Sequence, residues 1–215
     1  NDLIWQSGTK LLMGTRSGVL KIDAESGKIL TSAPNLEKIN QMKRAVRKIE
    51  KGPDQNLIIL FNRGFALVKP EQPPAFYSTE NAFHFGLRDD RIRVAKASRE
   101  RDRWWLGTER GLFLFHTDKQ KFEEIPDFQN ISINDISYTE KHLYLVTNQG
   151  LAQMTNSPRK VTFHNHYPDD MLSSHLITFI KKDSQGNIWA GTSGNGLNRI
   201  DLSNLKIKHF LPGIN

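Results

Sequence analysis

Asn187-Ile188-Trp189-Ala190-Gly191-Thr192-Ser193-Gly194-Asn195-Gly196-Leu197-Asn198-Arg199-Ile200-Asp201 is the stretch that decides the fold. An apolar strand runs into a polar turn that closes on Gly196, and a second strand leaves it. The same plan recurs at Leu11-Leu12-Met13-Gly14-Thr15-Arg16-Ser17-Gly18-Val19 and at Trp104-Trp105-Leu106-Gly107-Thr108-Glu109-Arg110-Gly111-Leu112. Two weaker copies, Leu57 to Phe65 and Leu143 to Leu151, lack the first glycine and close on Gly64 and Gly150. The five closing glycines, 18, 64, 111, 150 and 196, are spaced 46, 47, 39 and 46 residues apart. Such a period is near that of propeller blades.

The flanks of the turn repeat too. Val46 to Leu57 aligns without a gap on Ile177 to Ile188, with apolar, lysine and asparagine positions in register. In both, an apolar strand meets a polar turn and then the next strand, as in a hairpin. First strands are also expected at Ile92-Arg93-Val94-Ala95 and Ile133-Asn134-Asp135-Ile136. Fourth strands are expected at Ile29-Leu30, Ala75 to Tyr77, Phe122 to Ile125, Val161 to Phe163 and Ile207 to Phe210, with Pro70 to Pro74 as a turn. Four short antiparallel strands per repeat predict an all-β chain of five propeller blades, because each small twisted sheet needs neighbours to cover its faces. The expected blades are approximately 1–34, 35–80, 81–128, 129–166 and 167–215, within a single region spanning 1–215. Leu36, Ile39, Met42, Val46 and Ile49 recur at helical spacing, so a short helix near Asn35–Arg44 is expected before the second blade's first strand. Trp105 and Trp189, before the Gly-Thr pairs, are read as packing between blades.

Composition narrows function by exclusion. The 215 residues contain no cysteine, which removes disulfides, thiolate metal sites and cysteine nucleophiles and suits an oxidising compartment. With 30 Lys+Arg against 23 Asp+Glu the net charge is +7, favouring acidic partners in a general way. No stretch approaches the length of a membrane span, and the chain starts at Asn1-Asp2 with no signal-like segment, so it reads as a piece of a longer protein. No nucleophile elbow or phosphate-binding loop is present, and no carboxylate spacing announces a glycosidase. No cofactor is expected. His164-Asn165-His166, Asp169-Asp170 and His175 supply ligand-type groups close together, but an irregular loop does not by itself converge them, and they are read as an ordinary polar loop rather than a metal site. Asn130-Ile131-Ser132 is a glycosylation sequon in form only.

Because strands alternate in direction, the turns joining second to third strands emerge at the same end as the connections between repeats. These turns carry Arg16, Arg63, Arg110, Gln149 and Asn195, expected at one mouth as a ligand-binding set. Guanidinium is suited to bidentate contact with carboxylate or sulfate, which points to an acidic oligosaccharide or another small extracellular ligand. Solvated turn residues are the plainer alternative.

The stretch Asn187 to Asp201 resembles the two-component-regulator propeller repeat: an apolar-Trp pair, Gly-Thr, a turn, Gly-Leu and a strand ending near aspartate. Leu172-Ser173-Ser174-His175-Leu176 resembles the family's serine-rich loop. The resemblance is strong in the fifth repeat, good in the third and first, and degraded in the second and fourth, where Leu60-Phe61 and Val146-Thr147 replace Gly-Thr. It implies a periplasmic sensor region of a bacterial hybrid two-component or diguanylate cyclase receptor, without catalysis in this chain. Kinase or cyclase output would lie in downstream domains, and a membrane would be met only through the parent protein. Family propellers often have seven blades, so the five here form either a closed ring or an arc of a larger one. An arc would leave edges prone to self-association. Nucleic acid is not expected as a partner. A carbohydrate-active propeller lyase or hydrolase, or a protein-interaction scaffold, remain the alternatives.

Overall fold

The computed structural model describes the chain except residues 1, 31–33, 140–141, 157–158, 165–171, 175, 202–205, 212 and 214–215. Five four-stranded antiparallel sheets follow one another along it. The first contains β1 (Leu3–Ser7), β2 (Lys10–Thr15), β3 (Gly18–Asp23) and β4 (Ile29–Leu30); the second, β5 (Lys48–Lys51), β6 (Leu57–Leu60), β7 (Phe65–Val68) and β8 (Ala75–Tyr77). The third holds β9 (Ile92–Ala97), β10 (Arg103–Thr108), β11 (Leu112–His116) and β12 (Lys121–Glu124). The fourth holds β13 (Ile133–Tyr138), β14 (Leu143–Thr147), β15 (Gly150–Asn156) and β16 (Arg159–His164), and the fifth β17 (Ile177–Lys182), β18 (Ile188–Thr192), β19 (Leu197–Ile200) and β20 (Ile207–Phe210). In each sheet the strands pair in sequence order, as successive hairpins do.

The chain forms two compact units, one of residues 1–108 and 113–124, the other of 109–112 and 125–215. In the first unit the second sheet explains why its sequence is so uniformly apolar. All four residues of β6 and all four of β7 are buried. Side chains alternate across a strand. Leu57, Ile59, Ala66 and Val68 therefore enter a core shared with Leu12 and Val19 of the first sheet, while Ile58, Leu60, Phe65 and Leu67 enter one shared with Ala95, Trp104 and Phe115 of the third. Aromatic rings fill the latter. Phe65 stacks on Tyr77 at 4.9 Å, Phe115 stacks on Phe122 at 4.4 Å, and Phe65 meets Phe115 edge-on at 5.5 Å. The helical periodicity resolves into α1 (Pro34–Gln41), which buries Leu36 and Ile39 and gives way to extended chain before β5. The Asn40 amide accepts from Val19 N–H at 2.7 Å and donates to Val19 C=O at 3.0 Å, so the helix is tied to β3 through one side chain.

In the second unit, Tyr144, Val146 and Leu151 of the fourth sheet share a core with Ile177, Ile180, Ile188 and Ala190 of the fifth. A carboxylate device appears once in each unit. Asp2 accepts from Leu3 N–H at 3.0 Å through one oxygen and from Ile49 N–H of the next sheet at 2.9 Å through the other. Asp135 accepts from Ile136 N–H and from Ile180 N–H of the next sheet, both at 2.9 Å. Register makes the two equivalent, since Leu3 pairs with Met13 and Ile136 with Leu145, each two residues before the turn threonine. Each aspartate thus pins two adjacent first strands at their backbone.

Trp104 meets the neighbouring sheet, where a Cβ on Gly52 would run into its ring, and Trp105 is buried. Trp189 stacks on Phe210 of its own sheet at 5.3 Å.

Candidate functional site

In the first, fourth and fifth sheets the turn between second and third strands is built by the threonine that ends the second strand. Thr15, Thr147 and Thr192 each donate their hydroxyl to the carbonyl of the closing glycine, Gly18, Gly150 and Gly196, at 2.9, 2.9 and 2.8 Å. The same oxygen accepts from Ser17 N–H at 3.2 Å and Gln149 N–H at 3.0 Å. One hydroxyl thereby closes the turn and frees the intervening side chains to project outward. The closing glycine meets two demands at once. Gly196 has φ +77°, and a Cβ there would also run into the carbonyl oxygen of Phe210.

The turns do share an end with the connections between sheets. Val46 N–H donates to Thr15 C=O and Gly64 N–H to Asp90 C=O, each at 2.8 Å, in the first unit; Asn130 N–H donates to Arg110 C=O at 2.8 Å in the second. Arg16, Arg63, Arg110, Gln149 and Asn195 are all exposed. Arg16 and Arg63 belong to the first unit, Arg110, Gln149 and Asn195 to the second. Asn195 donates to Ser173 C=O at 3.2 Å.

Of the five, Arg63 lines a cleft in the first unit. This open cleft of about 350 Å³ is lined by Arg44, Ala45, Phe61, Asn62, Arg63, Ser78, Thr79, Glu80 and Asp90. Arg16 is not among them. Arg44 comes from the segment between α1 and β5, Asn62 and Arg63 from the turn after β6, and Thr79 and Glu80 from the short helix α2 (Thr79–Ala82). Asp90 sits in the connection to the third sheet and is 4% exposed. It accepts from Thr79 N–H at 3.2 Å and the Thr79 hydroxyl at 3.0 Å, while its other oxygen lies 3.6 Å from the Arg63 guanidinium. Ser78 and Asn81 form a reciprocal capping box that fixes the start of α2. Sequence reasoning found Arg63 from its place in the turn but not Arg44, Thr79, Glu80 or Asp90. With Arg63 they lie on three different connections, and no spacing links them before folding.

In the second unit the hairpin turn before Trp189 holds a strongly ionised carboxylate. Asp183 has its pKa lowered to about 2, first by the Asn187 side chain and then by the Trp189 indole. Asn187 Nδ2 and Trp189 Nε1 each donate at 2.9 Å to one oxygen, while Gln185 and Asn187 N–H donate to the other at 3.0 and 2.8 Å. The Asn-x-Trp signature is thus a carboxylate cradle. Among the described residues no group of three or more His, Cys, Asp or Glu could hold a metal ion. Asn165, His166, Asp169, Asp170 and His175 lie outside the described residues, as does the His164 side chain.

Five consecutive four-stranded sheets with shared cores define the chain as β-propeller blades. The family profile "Two component regulator propeller" matches residues 171–194, placing that repeat at the fifth sheet. No curated protein matches the chain. Among solved structures, it is similar to the extracellular domains of two putative hybrid two component systems from B. thetaiotaomicron. One superposes with TM-score 0.76 at 19% identity over 98% of this chain and 27% of that one. The other has TM-score 0.76 at 17% identity, over 100% and 28%. A catalytically inactive virginiamycin B lyase from Staphylococcus aureus, solved with quinupristin, has TM-score 0.64 at 15% identity over 99% and 70%. The chain spans about a quarter of the length of the two-component structures. At these identities the likeness is one of fold.

Proposed function

We propose that this chain is part of an extracytoplasmic ligand-sensing propeller of a bacterial signal-transduction receptor and performs no catalysis itself. The observation that carries the reading is the two component regulator propeller repeat at residues 171–194. The fold shared across nearly the whole chain with extracellular domains of two-component systems supports it. A periplasmic location follows from the same reading, with signalling output in downstream domains of the parent receptor. In this reading the five blades belong to a larger propeller. Supporting this, Leu3 and Trp5 of β1 are 55% and 61% exposed, a sheet face that another blade would cover.

The ligand in this reading is an acidic oligosaccharide, met by the exposed turn residues Arg16 and Arg63 of the first unit and, separately, by Arg110, Gln149 and Asn195 of the second. Exposed guanidinium groups on rigid turns suit carboxylate or sulfate, and the net charge of +7 draws such ligands in. A glycan array probed with the chain and with the Arg63→Ala/Arg110→Ala double variant tests it. Acidic glycans should be retained over neutral ones by the parent chain, with at least tenfold weaker retention by a variant whose circular dichroism is unchanged. Equal retention by both removes the arginine site. Turnover of any glycan by the chain would replace the sensor reading with the enzymatic one.

A further inference from the structure

The cleft beside Arg63 has a charge pattern that a simple anion does not match. Arg44 and Arg63 supply two cations, but Glu80 and Asp90 line the same space. Asp90 is committed inward to Thr79 and Arg63. Glu80 is exposed and has no partner among the described residues, nor has Arg44. The open positions are therefore one guanidinium and one carboxylate, with Arg63 lining the same cleft beside the buried Asp90. An anion filling this cleft would meet the Glu80 carboxylate as well as the arginines, and like charges at close range repel.

We propose that the cleft lined by Arg44, Arg63 and Glu80 binds a small zwitterion whose carboxylate and ammonium lie close together, as in a free α-amino acid. This rests on the ligand-sensing reading above and deepens it, by giving one blade a ligand of its own. Arg44 and Arg63 take the carboxylate, for which guanidinium forks are geometrically suited. Glu80 takes the ammonium; the Asn62 amide remains to bond either group, and the Thr79 hydroxyl oxygen, its proton given to Asp90, to accept from the ammonium. The volume of about 350 Å³ is at the lower end for ligand sites and suits a molecule of amino-acid size. The parts sit on rigid supports. Gly64 N–H bonds Asp90 C=O at 2.8 Å, coupling the Arg63 turn to the segment that carries Asp90, and the capping box fixes α2 beneath Glu80.

The test is isothermal titration of the chain with each of the twenty free α-amino acids, then with the N-acetyl and amide derivatives of any that binds. At least one amino acid should bind. N-acetylation, amidation and Glu80→Gln should each weaken it at least tenfold, and Arg44→Ala likewise. Both side chains are exposed, so these variants should keep the parent circular dichroism; Asn62→Ala, with a smaller expected loss of a fewfold, serves as a further variant if either does not. Absence of binding by all twenty at millimolar concentration overturns the proposal. So does binding that is indifferent to N-acetylation and to Glu80→Gln. Acidic oligosaccharides titrated in parallel separate the readings: their binding without amino-acid binding removes the zwitterion site and leaves the sensor standing, whereas failure of both removes both.

Discussion

The second and fifth blades use the same strand plan and hold it by opposite means. In the fifth, polar groups close the hairpins on either side of β18: Asp183 gathers Asn187 and Trp189 before it, and Thr192 bonds Gly196 after it. In the second, Leu60-Phe61 replaces Gly-Thr, Phe61 is 2% exposed, and the turn keeps a backbone bond from Phe61 N–H to Gly64 C=O at 3.2 Å. Burial on both faces of β6 and β7 does the rest. The repeat signature is therefore a local polar fastening, and a blade with apolar neighbours on both sides can do without it. The blade that most weakly resembles the repeat contributes to the largest described aromatic cluster.

Removing Phe65 should break the second blade most severely. Phe65→Ala empties the centre of the ring cluster, and a loss of about 3–5 kcal/mol is expected from chemical denaturation. A loss below about 1 kcal/mol would mean that burial is not what replaces the turn motif. In the fifth blade, Gly196→Ala combines a left-handed φ with a backbone collision, and should cost about 1–3 kcal/mol. The milder Thr192→Val keeps the shape and removes the hydroxyl, at about 1 kcal/mol. Its counterpart in the second blade, Phe61→Thr, should not recover stability, because it exchanges a buried ring for a hydroxyl in an apolar core.

The smallest effect expected is one of pH. Asp183 titrates near 2 when folded, below its ordinary 3.8. A depressed carboxylate stabilises the fold above the unfolded value and loses that contribution as pH falls through the folded one. The stability gap between the parent chain and Asp183→Ala should thus be constant above about pH 5 and shrink between pH 4 and pH 2. A gap independent of pH would show that the cradle acts by shape alone. Tyr77, raised by burial, places a similar but alkaline test on the second blade, whose contribution is present below pH 10 and fades above it.

Much of this architecture is legible in the chain because its causes are local. Alternation of apolar residues, a glycine able to take positive φ and a threonine three or four residues before that glycine suffice to mark a hairpin. The gapless match of Val46–Leu57 to Ile177–Ile188 correctly rejects a long helix, placing Ile49 and Ile180 at equivalent strand positions that each receive an aspartate or answer to one. The stack of Trp189 on Phe210, two strands away in the same sheet, is a contact that no sequence pattern names.

The sequence by itself determined the repeat, the four strands in each copy and the position of Arg63 at a turn, since all three follow from interactions within about ten residues along the chain. Tertiary structure decided which faces are covered, that Asp2 and Asp135 pin neighbouring sheets, and that Arg44, Arg63, Glu80 and Asp90 line one cleft. Those depend on connections of unequal length brought side by side by burial of the sheets, and burial is blind to which polar residues it carries along.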